Sequence, residues 1–273
     1  MAARVLAIAN QKGGVGKTTT VINLAACLGE AGQRVLVVDL DPQANATSGL
    51  GLPRQQGTSL YRVLLRERSI EGLVQDTVMP TVQIIPSELD LAGAEIDVAR
   101  MDGYLQGLSM AMLPLARRGG YDFILIDCPP SLGVLTMNAL TAADGLLLPI
   151  QCEYYALEGL SVITHVIEQL RATRANPGIV IQGIVMTMFD ARTRLSQDVA
   201  AEVRSHFGEK VYRTMIPRNV RLSEAPSFGK PVILYDPTCT GSEAYRQLAR
   251  EVIEREGASS ATMLASAPEK NGI

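Results

Sequence analysis

The feature that most constrains the fold is a glycine-rich segment, KGGVGKT at Lys12–Thr18, between a short apolar run and a longer helical pattern. The run Arg4–Ala9 (RVLAIA) has the length and composition of a buried strand, and Thr18–Glu30 repeats apolar residues at helical spacing. Strand, glycine loop and helix in this order place free backbone N–H groups at a helix N-terminus, where they favour a bound polyphosphate. The segment therefore predicts a phosphate-binding loop.

This loop departs from the usual phosphate-loop pattern, G-x-x-x-x-G-K-[ST], at one position. Gly16, Lys17 and Thr18 fill the last three places, but Gln11 stands where the first glycine belongs. In such loops the lysine binds the terminal phosphates and the hydroxyl binds Mg²⁺; a surface lysine and a helix-capping threonine are the alternatives. A second lysine, Lys12, opens the loop, and a solvated surface charge is its alternative. The residues expected around the phosphates are Gly13, Gly14, Val15, Gly16, Lys17, Thr18 and Thr19.

Composition restricts the class of protein. The chain has 273 residues, and its hydrophobic content of 47% favours a globular protein over a disordered one. Only 4% of the residues are aromatic and none is tryptophan, which disfavours a single-strand nucleic-acid binder built on base stacking. Because the net charge is -3, any contact with nucleic acid has to come from a local basic patch.

Cysteine usage and hydropathy indicate the compartment. The four cysteines, Cys27, Cys128, Cys152 and Cys239, lie far apart without C-x-x-C spacing, so neither a zinc site nor a disulfide framework is expected. No signal peptide precedes the first apolar run, and no apolar run reaches about 18 residues. We therefore expect a cytoplasmic protein without a membrane span.

Apolar runs alternate with helical patterns along the chain. The runs are continuous, as in parallel strands that are covered on both faces. We therefore expect an α/β fold with a doubly wound, mostly parallel sheet, helices on both faces and ligands at the carboxyl ends of the strands. Residues 1–256 are predicted to form a single domain and residues 257–273 a disordered tail. The predicted strands are Arg4–Ala9, Arg34–Asp39, Val82–Pro86, Asp122–Asp127, Gly145–Ile150, Ile179–Thr187 and Val211–Ile216, and later helices include Met101–Arg117, Tyr155–Arg174, Leu195–Phe207 and Gly241–Glu256.

Two of the predicted strands end in carboxylates. Asp39 and Asp41 follow the run RVLVV, and their spacing places both on one face if the strand continues. Asp127 ends the run FILID, as in a Walker B element, where the acid supports Mg²⁺. A turn or cap acid is the alternative at each position. A later segment, Ile216–Asn219 (IPRN), could bracket a base, although a plain turn is the simpler interpretation.

Seven blocks of the sequence resemble those of the ParA family of deviant Walker A ATPases, most closely its chromosomal Soj type. The resemblance runs from about Arg4 to Glu256; the chain differs at Phe228, where many members carry histidine, and in its longer tail. It implies a P-loop NTPase fold of the deviant Walker A kind, with ATP and Mg²⁺ as ligands. The blocks are NQKGGVGKTTT (10–20), VDLDPQANATSGLG (38–51), LAGAEI (91–96), IDCPPSLG (126–133), QCEYYALEGL (151–160), MTMFDART (186–193) and IPRNVRLSEAPSFGKPVILYDP (216–237).

The resemblance implies three catalytic residues. Lys12 matches the signature lysine, which contacts the ATP of the other subunit in an ATP-dependent homodimer. Lys17 would hold the β- and γ-phosphates, and Asp41 would position or activate the attacking water. No arginine finger is evident in the sequence, so we expect slow basal hydrolysis that a partner stimulates.

The remaining ligand contacts follow from the same resemblance. Thr18, Asp39 and Asp127 would support the Mg²⁺ ion. Pro217 and Asn219 would contact the adenine base.

The resemblance also implies binding partners. The ATP-bound dimer would bind double-stranded DNA without sequence preference through Arg192 and Arg221, and a ParB/Spo0J-type centromere-binding protein would release it by stimulating hydrolysis. From residue type alone both arginines are solvated surface charges. Local support comes from residues 209–230, which carry five cations and two acids. This interpretation predicts a nucleoid-associated, DNA-segregating ATPase that does not bind membranes.

Three other functions are alternatives for a chain with this phosphate-binding loop. A membrane-cycling ATPase of the MinD kind normally ends in a basic amphipathic helix, whereas Glu251–Glu256 (EVIERE) is acidic. An electron-transfer ATPase of the iron-protein kind needs cluster-binding cysteines from both subunits, and Cys128 has no second cysteine in a matching loop. A non-enzymatic role, with nucleotide as a structural ligand only, is disfavoured by the two acids at positions 39 and 41.

Overall fold

The central element is a mostly parallel sheet of eight strands, seen in a computed structural model that describes residues 2–153 and 156–265. In chain order the strands are β1 (Arg4–Ile8), β2 (Val35–Asp39), β3 (Gln75–Asp76), β4 (Val82–Ile85), β5 (Phe123–Asp127), β6 (Gly145–Gln151), β7 (Val180–Phe189) and β8 (Val211–Pro217). Their order across the sheet is β3-β4-β2-β5-β1-β6-β7-β8. Only β3 runs antiparallel to its neighbour among these described strands. The prediction of a doubly wound α/β sheet is confirmed.

Helices cover both faces of the sheet. In chain order they are α1 (Lys17–Glu30), α2 (Asn45–Gly49), α3 (Tyr61–Leu64), α4 (Ala94–Asp97), α5 (Gly107–Arg117), α6 (Val134–Ala142), α7 (Ala156–Ala172), α8 (Arg194–Phe207), α9 (Val220–Glu224), α10 (Val232–Tyr235) and α11 (Thr240–Ala265). Short 3₁₀ turns lie at 70–73, 89–93, 98–100, 104–106, 208–210 and 225–228.

The core forms two layers because successive strand residues point to opposite faces. In β5, Ile124 and Ile126 belong to the layer beneath α5, α6 and α7, while Phe123 and Leu125 belong to the layer beneath α1 and α11. All five residues of β5 are buried. Burial on both faces explains why the parallel strands read as continuous apolar runs.

Two predicted elements differ from the observed ones. The helix predicted at Met101–Arg117 begins only at Gly107, because Gly103 adopts a left-handed conformation (φ 64°) that interrupts helical winding. At the other end of the chain, α11 continues past Gly257 to Ala265, so the predicted tail is helical over its first nine residues. Five of these nine residues are alanine, methionine or leucine, which propagate an existing helix at little cost. Residues 266–273 lie outside the described part of the chain.

The described helices include none that is both long and apolar enough to cross a membrane. The longest of them, α11, instead packs its buried residues Leu248 and Val252 into the core layer shared with α1.

Strand register places the predicted site residues on one edge of the sheet. Asp127 at the end of β5 lies opposite Asp39 of β2 on one side and Ile8 of β1 on the other. Further along the same edge, Phe189 of β7 lies opposite Pro217 of β8. The loops that follow these strands therefore leave the sheet side by side, as expected for a ligand site in a parallel α/β fold.

Candidate nucleotide-binding site

The glycine loop connects β1 to the N-terminus of α1 in a conformation that requires glycine. Gly14 (φ 75°) and Gly16 (φ 87°) are left-handed, a region that side-chain-bearing residues avoid. Thr187, near the end of β7, donates a hydrogen bond of 2.8 Å to the carbonyl of Val15. Asn10 accepts one of 3.0 Å from the N–H of Lys12. The loop is thus fixed at both ends, with the open N-terminus of α1 behind it.

Lys17 is a buried cation at the start of α1. Its ammonium donates a hydrogen bond of 3.0 Å to the carbonyl of Lys12, across the loop. Burial lowers the pKa of Lys17, while the nearby Asp127 carboxylate acts in the opposite direction. A bound polyphosphate would supply the anionic partner that a buried ammonium lacks in water-free surroundings.

Lys12 lies on the outside of the loop and already has a partner in the same chain. Its ammonium is 2.6 Å from a carboxylate oxygen of Glu153, two residues beyond the end of β6. Gln151 donates a hydrogen bond to the other oxygen of Glu153. Both side chains of the pair are more than 40% exposed, so the pair contributes at most about 1 kcal/mol.

Asp127 is a fully buried carboxylate without a partner. Neither of its oxygens has a hydrogen-bond partner among the described residues. Burial raises the pKa of Asp127 well above its ordinary value, and the charge of Asp39 raises this pKa further. The Thr18 hydroxyl and the Lys17 ammonium lower the pKa, although the Thr18 hydroxyl does not complete a hydrogen bond to the carboxylate. An orphaned buried anion of this kind marks a place that a ligand is expected to fill.

Asp39 is arranged differently from the prediction, because β2 ends at this residue and the chain turns before Asp41. One Asp39 oxygen accepts bonds from the N–H and the hydroxyl of Thr47 (2.8 and 2.7 Å), and the other accepts the N–H of Asp41 at 3.2 Å. Burial raises the pKa of Asp39 to about 6, although these hydrogen bonds oppose the shift. The condition for a shared orientation, a strand that continues to Asp41, is therefore not met, and the Asp39 carboxylate anchors the start of α2.

Asp41 is buried, at 7% exposure, and one of its oxygens has no hydrogen bond from the described residues. The other oxygen accepts the N–H of Gln43 at 2.9 Å. The turn thus fixes the carboxylate while leaving it able to accept a proton or orient a water.

The donor set suits a hard cation held largely by water. The half-buried Thr18 hydroxyl and the unpartnered Asp127 carboxylate are both oxygen ligands of the kind that Mg²⁺ prefers. No three His, Cys, Asp or Glu side chains of the described chain converge on one point. This fits Mg²⁺, which keeps several waters and binds through one or two protein groups and substrate phosphates, and it does not fit a zinc cage.

A cavity of about 160 Å³ adjoins the loop where a nucleoside would follow the phosphates. Gly16 and Thr19 line one side, and Pro217 and Asn219 line another, with Tyr245 of α11 also contributing. The Asn219 amide is already engaged: it accepts the N–H of Arg221 and donates to the Thr240 hydroxyl, both at 2.8 Å. Pro217 borders the same cavity, while the Asn219 amide would have to share its hydrogen bonds with any ligand there.

Both arginines expected to bind DNA form ion pairs that the sequence did not predict. Arg192 forms two hydrogen bonds, of 2.9 and 2.7 Å, with Asp190 and holds the pKa of that carboxyl at about 2. Arg221 pairs with Glu224 at 2.9 Å and with Asp236 at 3.3 Å. The positive charge of this surface is therefore smaller than a count over residues 209–230 indicates.

Cys128, which follows Asp127, is buried and chemically quiet. Burial strongly raises the pKa of its thiol, and the Asp127 charge adds to this shift. A thiol that stays protonated is a poor cluster ligand or nucleophile.

Three supporting residues were missed by sequence reasoning: Thr47, Glu153 and Thr187. Each lies within one of the seven blocks that carry the family resemblance, but its residue type alone does not mark it. Only Thr187 carried a usable signal, because it lies near the carboxyl end of a predicted strand.

Comparison with known proteins gives consistent relatives. A family model described as an AAA domain matches residues 3–181. The chromosome partitioning protein ParA of Caulobacter vibrioides is 54% identical over 93% of this chain and 95% of its own length. The sporulation initiation inhibitor protein Soj of Bacillus subtilis is 50% identical over 91% of this chain and 98% of its own.

A solved structure with a related fold is cobyrinic acid a,c-diamide synthase of Mycobacterium smegmatis, with bound ATP analog and magnesium. It is 36% identical, covers 94% of this chain and 97% of its own, and has a TM-score of 0.81. The fold therefore also serves other chemistry, and the sequence blocks decide between relatives. Taken with the glycine loop, the strand-end acids and the near-complete match to partition proteins, these findings place the chain in the ParA/Soj family of chromosome-partitioning ATPases.

Proposed function

We propose that this protein is an ATP-dependent DNA-segregation switch. Two subunits, each holding ATP and Mg²⁺, form a dimer that binds double-stranded DNA without sequence preference on the nucleoid, and a ParB/Spo0J-type partner releases it by stimulating hydrolysis. The observation that carries the proposal is the position of Lys12. The Lys12 ammonium points away from the loop and lies 2.6 Å from a carboxylate oxygen of Glu153. The Lys17 ammonium instead lies within the loop, where it donates to the carbonyl of Lys12.

The charges explain why a second lysine would act between subunits. ATP with one Mg²⁺ retains negative charge after Lys17 binds it, and a second ammonium strengthens binding only where it meets that charge. Because Lys12 is exposed and held by a weak ion pair, exchange of Glu153 for a partner's phosphates costs little. Dimerisation would then depend on nucleotide in both subunits.

The residues of one subunit prepare hydrolysis mainly by position and charge. Lys17 and the N-terminus of α1 would stabilise the phosphate charge. Asp41, fixed by the N–H of Gln43, would orient the attacking water and accept its proton. Thr18 and Asp127 would hold Mg²⁺, which supplies charge neutralisation at the phosphates when it is bound. Asp39 would act as a positioning residue through Thr47.

Residues 251–256 of α11, the acidic segment where the alternative membrane-cycling role would need a basic amphipathic helix, do not favour that role. Glu251 of this segment contributes to the fold: it is 5% exposed and accepts hydrogen bonds from the N–H groups of Arg213 and Thr214. Val252 beside it is buried. This part of the helix therefore presents no free apolar face to a lipid surface.

The first prediction concerns Lys12→Ala. The variant should bind ATP as a monomer because Lys17 and the loop backbone are intact, but it should fail to dimerise because the charge that reaches the partner is gone. Light scattering with ADP and with ATP measures both states, and Glu153→Gln is the matched control. That control frees Lys12 and should dimerise at least as readily as the wild type. A dimeric Lys12→Ala protein would contradict the proposed role.

The second prediction concerns Asp41→Ala. Loss of the group that orients water should slow hydrolysis by about 100-fold or more, with ATP binding retained. The variant should therefore accumulate as an ATP-bound dimer on DNA. Sedimentation with ADP, ATP and ATP plus DNA, run beside the wild type, checks this. Rapid return of the variant to monomers while its ATP remains intact would count against the assignment.

The third prediction concerns the cost of the orphaned carboxylate. Asp127→Asn should stabilise the nucleotide-free protein by about 1–3 kcal/mol at a pH above the raised pKa of Asp127, where it removes a buried charge that has no partner among the described residues. It should also weaken Mg²⁺–ATP binding. Urea unfolding in EDTA measures the free energy, and Asp122→Asn is the control: its carboxylate is bound by Arg34, so that variant should gain nothing.

The pH dependence of stability follows from the same acids. The pKa values of Asp39 and Asp127 are higher in the folded than in the unfolded chain. The two carboxyl groups are therefore protonated in both the folded and the unfolded state only below about pH 4. Their favourable contribution is present there and is lost as the pH rises through about 6 for Asp39. Asp127→Asn should flatten this loss in EDTA; an unchanged slope would show that Asp127 is not ionising within the folded protein.

The fourth prediction concerns DNA. Arg221→Ala should abolish DNA retention while ATP-dependent dimerisation survives, because one phosphate contact is lost in each subunit. Asp190→Asn is a matched test of opposite sign: it frees Arg192 from its carboxylate and should tighten DNA binding. Fluorescence anisotropy with duplex DNA at low salt measures both, and unchanged affinity in Arg221→Ala would exclude its proposed contact.

A further inference from the structure

A third arginine lies between the two that the family resemblance points to. Arg218 follows β8 directly, and its N–H donates a hydrogen bond of 3.1 Å to the carbonyl of Phe189, the last residue of β7. The next residue of that chain is Asp190, the partner of Arg192. Arg218 is thus fixed by its backbone in the same loop cluster as Arg192, three residues before Arg221.

The side chain of Arg218 differs from its neighbours in its charge environment. Arg192 is bound by Asp190, Arg194 pairs with Asp198, and Arg221 pairs with two carboxylates. The exposed guanidinium of Arg218 has no ion pair or hydrogen bond among the described residues. Its charge acts on Asp190, whose pKa it helps to lower, but both Asp190 oxygens are bonded to Arg192.

An unpaired guanidinium binds a phosphate more readily than a paired one. Five donors in a planar fork match the oxygens of a phosphate, and Arg218 would not first have to leave a carboxylate. Arg192 and Arg221 would each have to give up an existing ion pair, which offsets part of the gain. Compared with Arg192, Arg218 therefore offers a polyanion more net attraction.

We propose that Arg218 is a phosphate-backbone contact for double-stranded DNA, and that it contributes more of the affinity than Arg192 does. The proposal rests on the proposed function, since it assumes that this face of the dimer meets DNA. Because a phosphate contact carries no sequence information, the contribution should be equal for unrelated duplexes.

Arg218 also borders the cavity beside the glycine loop, which provides a competing role. A guanidinium there could stack on or bond to the bound nucleoside rather than to DNA. The two roles differ in what they change: a nucleoside contact alters the affinity for ATP, whereas a backbone contact alters the affinity for DNA and its dependence on salt.

The test compares Arg218→Ala with Arg117→Ala. Arg117 ends α5 beside Ala116, whose carbonyl accepts the N–H of Ala3, so it lies at the opposite edge of the sheet. It is exposed and has no ion pair among the described residues, so its removal changes the net charge equally. Anisotropy with two unrelated duplexes, with ATP and the hydrolysis-blocking Asp41→Ala background, gives the affinity across a salt series.

Arg218→Ala should weaken binding to both duplexes by about tenfold and lower the salt slope by about 0.9 for each subunit. Arg117→Ala should leave both unchanged, Arg192→Ala should fall between them, and Arg218→Lys should retain most of the slope. Affinity of Arg218→Ala for a fluorescent ATP analogue and its ATP-dependent dimerisation should match those of the parent protein.

Reduced affinity for the ATP analogue with an unchanged salt slope would assign Arg218 to the nucleoside instead. Failure of the parent protein itself to bind DNA would reject the proposed function, whereas equal effects of Arg218→Ala and Arg117→Ala would reject this inference alone.

Discussion

The buried, unpartnered carboxylate at the end of β5 is the constraint on which the site depends. Asp127 lies in the middle of the sheet, where no described group completes a hydrogen bond to it, and the nearest cation, Lys17, is itself partly desolvated. A buried carboxylate and a buried ammonium that form no ion pair each lose hydration without the compensation that a direct contact would give. Mg²⁺ and a polyphosphate would satisfy both groups at once. Nucleotide binding and stability are therefore coupled through the same two side chains.

That coupling also explains the rigidity around the site. The glycine loop is held by Thr187 and Asn10, and the turn after β2 is held by Asp39 through Thr47. These contacts come from separate strands, so the sheet register, rather than the loop itself, determines where the charges lie. Preorganised charge of this kind does not need to rearrange when the phosphate charge shifts during hydrolysis.

Sequence reasoning worked best where local pattern and burial agree. The central strands were predicted within a residue or two, because parallel strands covered on both faces leave uninterrupted apolar runs. The helix α6 gave no such signal: Leu135, Asn138 and Leu140 are all buried, so no polar face marks its period. The end of α11 was not predicted for a different reason: its residues are mostly small and are compatible with both a helix and a disordered tail.

In the site, the sequence predicts the residues that belong to a local motif, but it does not predict contacts between residues that are distant in the sequence. The loop glycines and the position of Asp127 at a strand end follow from spacing, and the structure places them as expected. The capture of Asp39 by Thr47 requires knowing that β2 stops at residue 39. The pairing of Lys12 with Glu153 joins residues 141 positions apart, which no local pattern encodes.

The Lys12–Glu153 pair shows how a weak contact can set the threshold of a switch. A buried ion pair in this position would hold Lys12 against any partner, because separating desolvated charges costs several kcal/mol. With both side chains more than 40% exposed, water supports the separated charges and the pair is worth at most about 1 kcal/mol. In the proposed dimer, a partner's triphosphate would offer more charge than one carboxylate, so exchange would be favoured when nucleotide is present. Without nucleotide, the same lysine would remain neutralised by Glu153, and this contact would offer no free charge that favours dimerisation.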